Sequence, residues 1–156
     1  MLSSWVELAI IVSDGNMYLT VEEMKTHLYR EDVDLISGGD DAIMEAAIDT
    51  AIAEMKGYLG KFDRKRVFGA EGTERNSLVL TFAKDIAAWH FLVLCNVGSD
   101  LDFRYNRYAR AIDWLKEVQK GNVSPDLPMP DEDGDGEPDQ PLTYLFGSNP
   151  KRHNHY

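Results

Sequence analysis

The sequence predicts an all-α fold: a small bundle of about four helices with an apolar N-terminal arm and an acidic Pro/Asp-rich C-terminal tail. Three observations support this prediction. All six prolines lie at or after Pro125, so the preceding stretch holds no residue of the type that breaks a helix. Apolar residues in that stretch recur at steps of three and four, the spacing of one helical face. The hydrophobic fraction of 44% is enough for a packed core.

Composition divides the 156 residues into three segments. We predict an N-terminal arm over residues 1–16, a helical domain over 17–124 and an acidic flexible tail over 125–156. The tail holds seven acids and no base between residues 126 and 139, a composition too polar to order itself. It also carries the apolar triplet Tyr144-Leu145-Phe146, a short segment suited to docking on a partner.

Within the arm, the run from Trp5 to Val12 is apolar apart from one charged residue, Glu7. A run of this size fits a strand or a short helix, because periodicity does not separate the two. Side chains such as Ile10 and Ile11 are unfavourable in water, since burying each is worth about 1.5–3 kcal/mol. We therefore expect the arm to be covered by its own body or by a neighbouring subunit.

Caps mark the first two predicted helices. Thr20, with Glu23 three residues later, forms a capping box for a short helix that ends near Leu28. The pair Asp40-Asp41 supplies the cap and a first-turn acid for a second helix, which Gly60 ends. The apolar stripe of the second helix is Met44, Ala47, Ile48, Ala51, Ile52, Met55 and Leu59.

Residues 60–75 are largely polar and are predicted to form an exposed loop. The cations of this loop are Lys61, Arg64, Lys65 and Arg66. The loop is basic while the rest of the body is acidic, so we expect it to meet an acidic face of the next subunit head to tail. One such face is formed by Glu31, Asp32 and Asp34.

The last two predicted helices contribute much of the core. Asn76 caps a helix to about Val97 that is apolar on nearly every side, as in the middle of a bundle or in an interface. Ser99 or Asp100 caps the final helix, which ends at Gly121. The core residues expected across the helices are Ile48, Ile52, Leu80, Ile86, Tyr108, Ile112 and Leu115.

No catalytic motif is recognised: the sequence has no glycine-rich phosphate loop and no Gly-x-Ser-x-Gly elbow. His90 is interpreted as a satisfied core or interface histidine, and Cys95 as a small buried apolar residue. The acids Glu45, Asp49 and Glu54 are interpreted as a solvated helix face. We therefore expect no enzymatic activity and no required cofactor.

Four aspartates in the tail follow the spacing of positions 1, 3, 5 and 9 of an EF-hand-type calcium loop: Asp131, Asp133, Asp135 and Asp139. Gly136 fits the glycine of position 6, but position 12 is Leu142 rather than the glutamate that binds calcium through both oxygens. An acidic linker is the favoured interpretation, and a low-affinity calcium site is the alternative.

Arg104, Arg107 and Arg110 recur at steps of three on the fourth helix, with Tyr105 and Tyr108 between them. Such a stripe is compatible with a nucleic-acid surface. The net charge of −11 disfavours general binding to phosphate backbones or anionic membranes, so pairing with acids of the chain or of a neighbour is preferred. The longest apolar stretch is too short to span a bilayer, and no membrane partner is expected.

Five blocks of the sequence resemble the Mu-like phage family of small head–tail connector proteins, long classed as a domain of unknown function. The blocks are Tyr18–Lys25, Asp40–Ile48, Lys84–His90, Arg107–Lys116 and Gly121–Ser124. The resemblance covers about residues 17 to 127 and lies in packing positions. The apolar arm and the acidic tail lie outside the family pattern.

The resemblance implies a structural virion protein from a prophage. Such a subunit forms a ring with copies of itself between portal and tail-side proteins, and DNA passes through the ring without sequence-specific binding. The expected location is the virion, and the host cytoplasm before assembly. The alternative is a cytosolic helical adaptor or regulator that binds a protein or DNA. The expected interface residues are Trp5, Ile10, Ile11, Lys61, Arg64, Lys65, Arg66, Arg104, Arg107, Tyr144 and Phe146.

Overall fold

A computed structural model describes residues 18–95, 101–131 and 134, and within these residues it contains helices and no strand. The α-helices are α1 (Val21–His27), α2 (Arg30–Ser37), α3 (Asp41–Tyr58), α4 (Arg64–Gly69), α5 (Ser77–Leu94) and α6 (Asp102–Lys120). A short 3₁₀ helix, Gly72–Glu74, joins α4 to α5. The all-α prediction is confirmed, with α3, α5 and α6 as the long helices.

The predicted capping box opens α1. The Glu23 amide donates to Thr20 Oγ1 at 3.2 Å, and the Thr20 amide donates to the Glu23 carboxylate at 3.0 Å. Arg75, just before α5, donates to both oxygens of the same carboxylate, at 2.6 and 3.1 Å. The Glu23 carboxylate therefore also links α1, through Arg75, to the start of α5.

Helix α2 was not predicted from the sequence. Its N-cap position is Tyr29, which has φ 61° and makes no side-chain capping bond. Residues other than glycine rarely adopt this backbone conformation, so neither a cap nor a breaker marks the turn between α1 and α2. Val33 anchors α2 in the core, and Gly38 at φ 65° ends it.

The segment 60–75 is not an exposed loop, so that prediction is wrong. Asp63 caps α4 by accepting from the Lys65 and Arg66 amides, both at 3.1 Å. Val67 and Phe68 are buried, and the Phe68 ring meets the ring of Tyr18 edge-on with centroids 5.2 Å apart. Burial of Val67 and Phe68 is therefore enough to pack this short helix on the body, although the residues around them are polar.

Helices α5 and α6 lie antiparallel at the centre of the body. Phe82 packs on Trp114, and Trp89 packs on Tyr105, with ring centroids 5.0 and 5.3 Å apart. The Asn76 side chain caps α5 as predicted. At the start of α6 the cap position belongs to Leu101, which makes no side-chain capping bond. The predicted caps Ser99 and Asp100 and the predicted end of α5 near Val97 lie outside the described residues.

The core forms where α3, α5 and α6 meet. Of the seven predicted core residues, Ile48, Ile86, Ile112 and Leu115 are buried. The other three, Ile52, Leu80 and Tyr108, are half-buried and pack against the core. The longest apolar stretch was predicted to be too short to span a bilayer, but α5 is long and apolar enough to do so, and half of it is buried within the body. Its length and hydropathy therefore fit a central core helix as well.

The chain stays on the body past the predicted boundary at residue 124. Leu127 is buried, and the Pro128 carbonyl accepts a hydrogen bond from the Asp63 amide at 2.9 Å. The Asn76 side chain donates to the Asp126 carbonyl at 3.4 Å. Met129 packs on the core from its edge. The packed body therefore ends about five residues later than composition predicted.

Candidate interaction surfaces

The predicted basic residues cluster around helix α4, where all four are exposed. Lys61 precedes the helix, and Arg64, Lys65 and Arg66 form its first turn. None of the four forms an ion pair with another residue in the described part of the chain. Cations in a first turn oppose the helix dipole, so the helix gains nothing from them and an external anion would stabilise it. We call Lys61, Arg64, Lys65 and Arg66 the basic end.

The predicted acidic patch lies on α2. Glu31 and Asp32 are exposed and form no ion pair within the described residues. Asp34 lies 3.6 Å from Lys25 Nζ, so its charge is partly satisfied inside the chain. Leu35 is 84% exposed beside these acids. We call Glu31, Asp32 and Leu35 the acidic end.

The basic and acidic ends lie at opposite ends of α6. Lys61 Nζ is 3.9 Å from the position a Cβ would take at Gly121, the C-cap of α6. His27, at the end of α1 and two residues before Tyr29, shares the Asp85 carboxylate with Arg107, so the turn between α1 and α2 lies beside the start of α6. At a rise of 1.5 Å per residue, the two positions on α6 are about 25 Å apart.

A third surface surrounds Phe103, which is 61% exposed. The guanidinium carbons of Arg104 and Arg107 lie 5.5 and 5.6 Å from its ring centroid, so two cations lie close to one aromatic ring. Burial, followed by repulsion from Arg107, lowers the pKa of Arg104. We call Phe103, Arg104 and Arg107 the arginine–aromatic patch. Tyr29, 75% exposed, follows His27 by two residues in the turn that the Asp85 carboxylate connects to Arg107.

A buried carboxylate holds Arg107 in place. Asp85 Oδ1 accepts from Arg107 Nε at 2.8 Å and lies 3.1 Å from His27 Nε2. Burial raises the pKa of Asp85, but the hydrogen bonds from His27 and Arg107 outweigh burial and leave the pKa below its usual value. Arg107 thus pairs within the chain, as preferred from the sequence, although with Asp85 rather than with an acid on its own helix.

A second polar cluster joins α3, α5 and α6. The Glu54 carboxylate accepts from the Tyr108 hydroxyl at 2.9 Å and lies 2.8 Å from His90 Nε2. His90 is therefore a satisfied histidine, as predicted. Glu54 does not belong to a solvated face, because it is half-buried and bonded twice. Burial, then the Glu54 hydrogen bond, raises the pKa of Tyr108 to about 12.

A cleft of about 560 Å³ lies between α4 and the chain that leaves α6. Its lining residues are Lys65, Arg66, Val67, Gly69, Ala70, Glu74, Asn76, Asp126, Leu127 and Pro128. The basic end and the start of the acidic tail therefore share one depression, and the tail leaves the body next to α4.

Several predicted site residues lie outside the described residues: Trp5, Ile10, Ile11, Asp133, Asp135, Asp139, Tyr144 and Phe146. Asp131 is described, and its Oδ1 accepts from the Gly134 amide at 2.8 Å, a local turn. Within the described ranges no three residues among His, Cys, Asp and Glu are grouped to hold a metal.

Sequence reasoning did not single out Phe103, Leu35 or Asp85. A signal was available for Phe103, since it directly precedes Arg104 and lies one helical turn before Arg107 in the sequence. The role of Asp85 depends on partners 58 and 22 residues away, which no local pattern records.

The chain was compared with models of protein families. The model described as Bacteriophage Mu, Gp36 matches residues 16–140. No curated protein and no solved structure matches the chain.

Proposed function

The chain belongs to the bacteriophage Mu Gp36 family, and from this premise we propose that this phage protein is a head–tail connector, a structural virion subunit that forms a ring between portal and tail. The observation that supports the proposal most directly is the placement of the two charged ends. A basic surface and an acidic surface lie beside opposite ends of α6, which are about 25 Å apart. Glu31, Asp32 and the four cations of the basic end form no ion pair with any residue that the structure describes.

Opposite charges at opposite ends suit a head-to-tail contact between copies. Lys65 and Arg66 of one copy would face Glu31 and Asp32 of the next. Leu35, exposed beside the acids, would be covered in the same contact. A heterologous contact of this kind repeats, and it closes into a ring when the rotation between copies allows it.

The charge of the chain also suits a ring around DNA. With a net charge of −11, the protein neutralises few phosphates overall, so DNA would pass through without being held. Such a ring would contact the portal on one side and tail-side proteins on the other.

Charge reversal tests the contact. In the presence of portal, we expect the full chain to form assemblies, and Lys65→Glu with Arg66→Glu to abolish them. Combining those changes in one copy with Glu31→Lys and Asp32→Lys in a second copy should restore pairwise association. Asp49→Lys, a reversal on the exposed face of α3, is the matched control and should assemble normally.

The role in the virion is tested separately. Deleting the gene from an inducible prophage should yield DNA-filled heads without tails, and mass spectrometry of intact particles should detect the protein. Normal tailed particles from the deletion strain, or a protein found only in the cytosol, would support the adaptor or regulator instead.

A further inference from the structure

The arginine–aromatic patch has the composition of a binding surface. Phe103 has 61% of its area exposed, and two guanidinium groups lie within 5.6 Å of its ring centroid. Phenylalanine and arginine are enriched at protein interfaces, where a central aromatic side chain becomes buried. Phe103 also lies away from the core formed by Ala111, Ile112 and Leu115 on the same helix. Its exposure therefore serves no packing purpose that the described residues show.

The charges of the patch indicate an anionic partner. Arg104 forms no ion pair with any described residue. Arg107 uses its Nε on Asp85 and keeps 38% of its side chain exposed. Two guanidiniums around one ring repel each other, and an acidic group between them would relieve that repulsion. A fitting partner therefore combines carboxylates with an apolar or aromatic side chain.

The C-terminal tail of this chain has that composition. Between residues 131 and 139 it carries six acids and no base, and Tyr144-Leu145-Phe146 follows. Few other segments of the chain place acids and aromatic residues together in this way. The N-terminal arm is mostly apolar and holds two acids, Glu7 and Asp14, against six acids in residues 131–139, so it matches the aromatic ring better than the arginines.

The tail starts at the opposite end of the bundle from the patch. Its first residues, Leu127 and Pro128, pack beside α4, at the basic end. The patch lies in the first two turns of α6, and the Asp85 carboxylate that Arg107 shares with His27 places it beside the turn between α1 and α2. When the basic end of one copy meets the acidic end of the next, the tail of the first copy begins beside the patch of the second. Extended chain from residue 131 to 146 spans about 50 Å, which is ample.

We propose that the acidic–aromatic tail, residues 131–146, docks on the arginine–aromatic patch of a second copy of this chain. Carboxylates of the tail meet Arg104 and Arg107, and an aromatic side chain of the triplet covers Phe103. This inference rests on the head-to-tail contact of the proposed function and adds a second link between the same two copies, which would raise the avidity of the ring.

Cross-linking between two single-cysteine copies tests the docking. Both copies carry Cys95→Ser; one carries Asn106→Cys, an exposed position one turn from Phe103, and the other Gly147→Cys in the tail. In assemblies formed with portal, a short bis-maleimide should join the two copies into a covalent dimer. Pairing Gly147→Cys with Asp49→Cys on α3 is the matched control and should yield little dimer.

A charge swap tests the chemistry of the contact. Arg104→Glu should lower the dimer yield about tenfold, in keeping with the loss of a close charge pair at an interface. Asp135→Lys with Glu137→Lys in the tail should restore the yield. Arg110→Glu, an exposed reversal further along α6, should leave the yield unchanged. Melting curves of each variant show that the body remains folded.

Each result separates the two hypotheses. If assemblies form and no dimer appears between the tail and position 106, tail docking is wrong and the connector proposal stands. If a single chain carrying both cysteines cross-links to itself instead, the tail covers its own patch and docking between copies is wrong. If no assembly forms with portal, the head-to-tail contact fails, and docking between copies fails with it.

Discussion

At the scale of single residues, Glu23 combines two tasks that respond differently to pH. Its carboxylate closes the capping box with Thr20 and pairs with Arg75. The hydrogen bond from Arg75 is the largest cause that lowers the pKa of Glu23, from 4.5 to about 2. A lowered pKa in the folded state stabilises the fold above the unfolded value, and this contribution is lost as the pH falls through the folded value.

We therefore expect Glu23→Gln to destabilise the protein by about 1 kcal/mol at pH 7, since glutamine keeps the cap and loses the charge. The difference between the two proteins should shrink below pH 4.5 and vanish near pH 2. Urea unfolding at a series of pH values measures it. A difference that stays constant from pH 7 to pH 2 would contradict the ion pair with Arg75.

Ile112 tests the core at the same scale. It is 7% exposed between the helices, and Ile112→Ala should cost about 2–5 kcal/mol because it leaves a cavity. Leu35→Ala, at a side chain 84% exposed, is the control and should change the free energy of unfolding by less than about 0.5 kcal/mol. Equal effects of the two changes would place Ile112 outside the core.

At the scale of helices, α4 depends on two side chains. Phe68 is buried against Tyr18, and Phe68→Ala should destabilise the protein by about 3–5 kcal/mol. Arg64→Ala on the exposed side of the same helix should have an effect below about 0.5 kcal/mol. Thermal unfolding monitored by circular dichroism compares them. A harmless Phe68→Ala would mean that the segment behaves as the loop predicted from its composition.

Four of the six described α-helices could be predicted from the sequence. Thr20 with Glu23, Asp40 and Asn76 mark the starts of three, and the apolar stripe of α6 indicates the fourth. Helices α2 and α4 could not. Helix α2 begins at a tyrosine with positive φ, and α4 is a single turn and a half whose cations dominate its composition. Short helices of this kind depend on tertiary contacts, which local patterns do not contain.

The surfaces follow the same division. The cations around α4 and the acids of α2 were identified from the sequence because charge can be read directly, and their pairing between copies stays a prediction. The arginine–aromatic patch was only half predicted, through Arg104 and Arg107. Its centre, Phe103, and the carboxylate that anchors it, Asp85, require knowledge of which helices are neighbours.

At the scale of the whole molecule, the edge of the body can be located by truncation. A chain ending at residue 130 should unfold with the same free energy as the full chain, because Leu127 and the Pro128–Asp63 hydrogen bond remain. A chain ending at residue 124 loses both and should be about 2–4 kcal/mol less stable. If the two truncated chains were equally stable, the packed body would end at residue 124 as predicted from composition.

The buried carboxylate of Asp85 has a consequence for how related chains diverge. His27 and Arg107 come from helices on either side of it, and losing either partner leaves a charge in the core with inadequate compensation. A substitution at one of the three positions therefore destabilises the fold unless the other two positions change as well. Across relatives, the positions of His27, Asp85 and Arg107 should be inherited as one unit, exchanged together for an apolar trio or kept together.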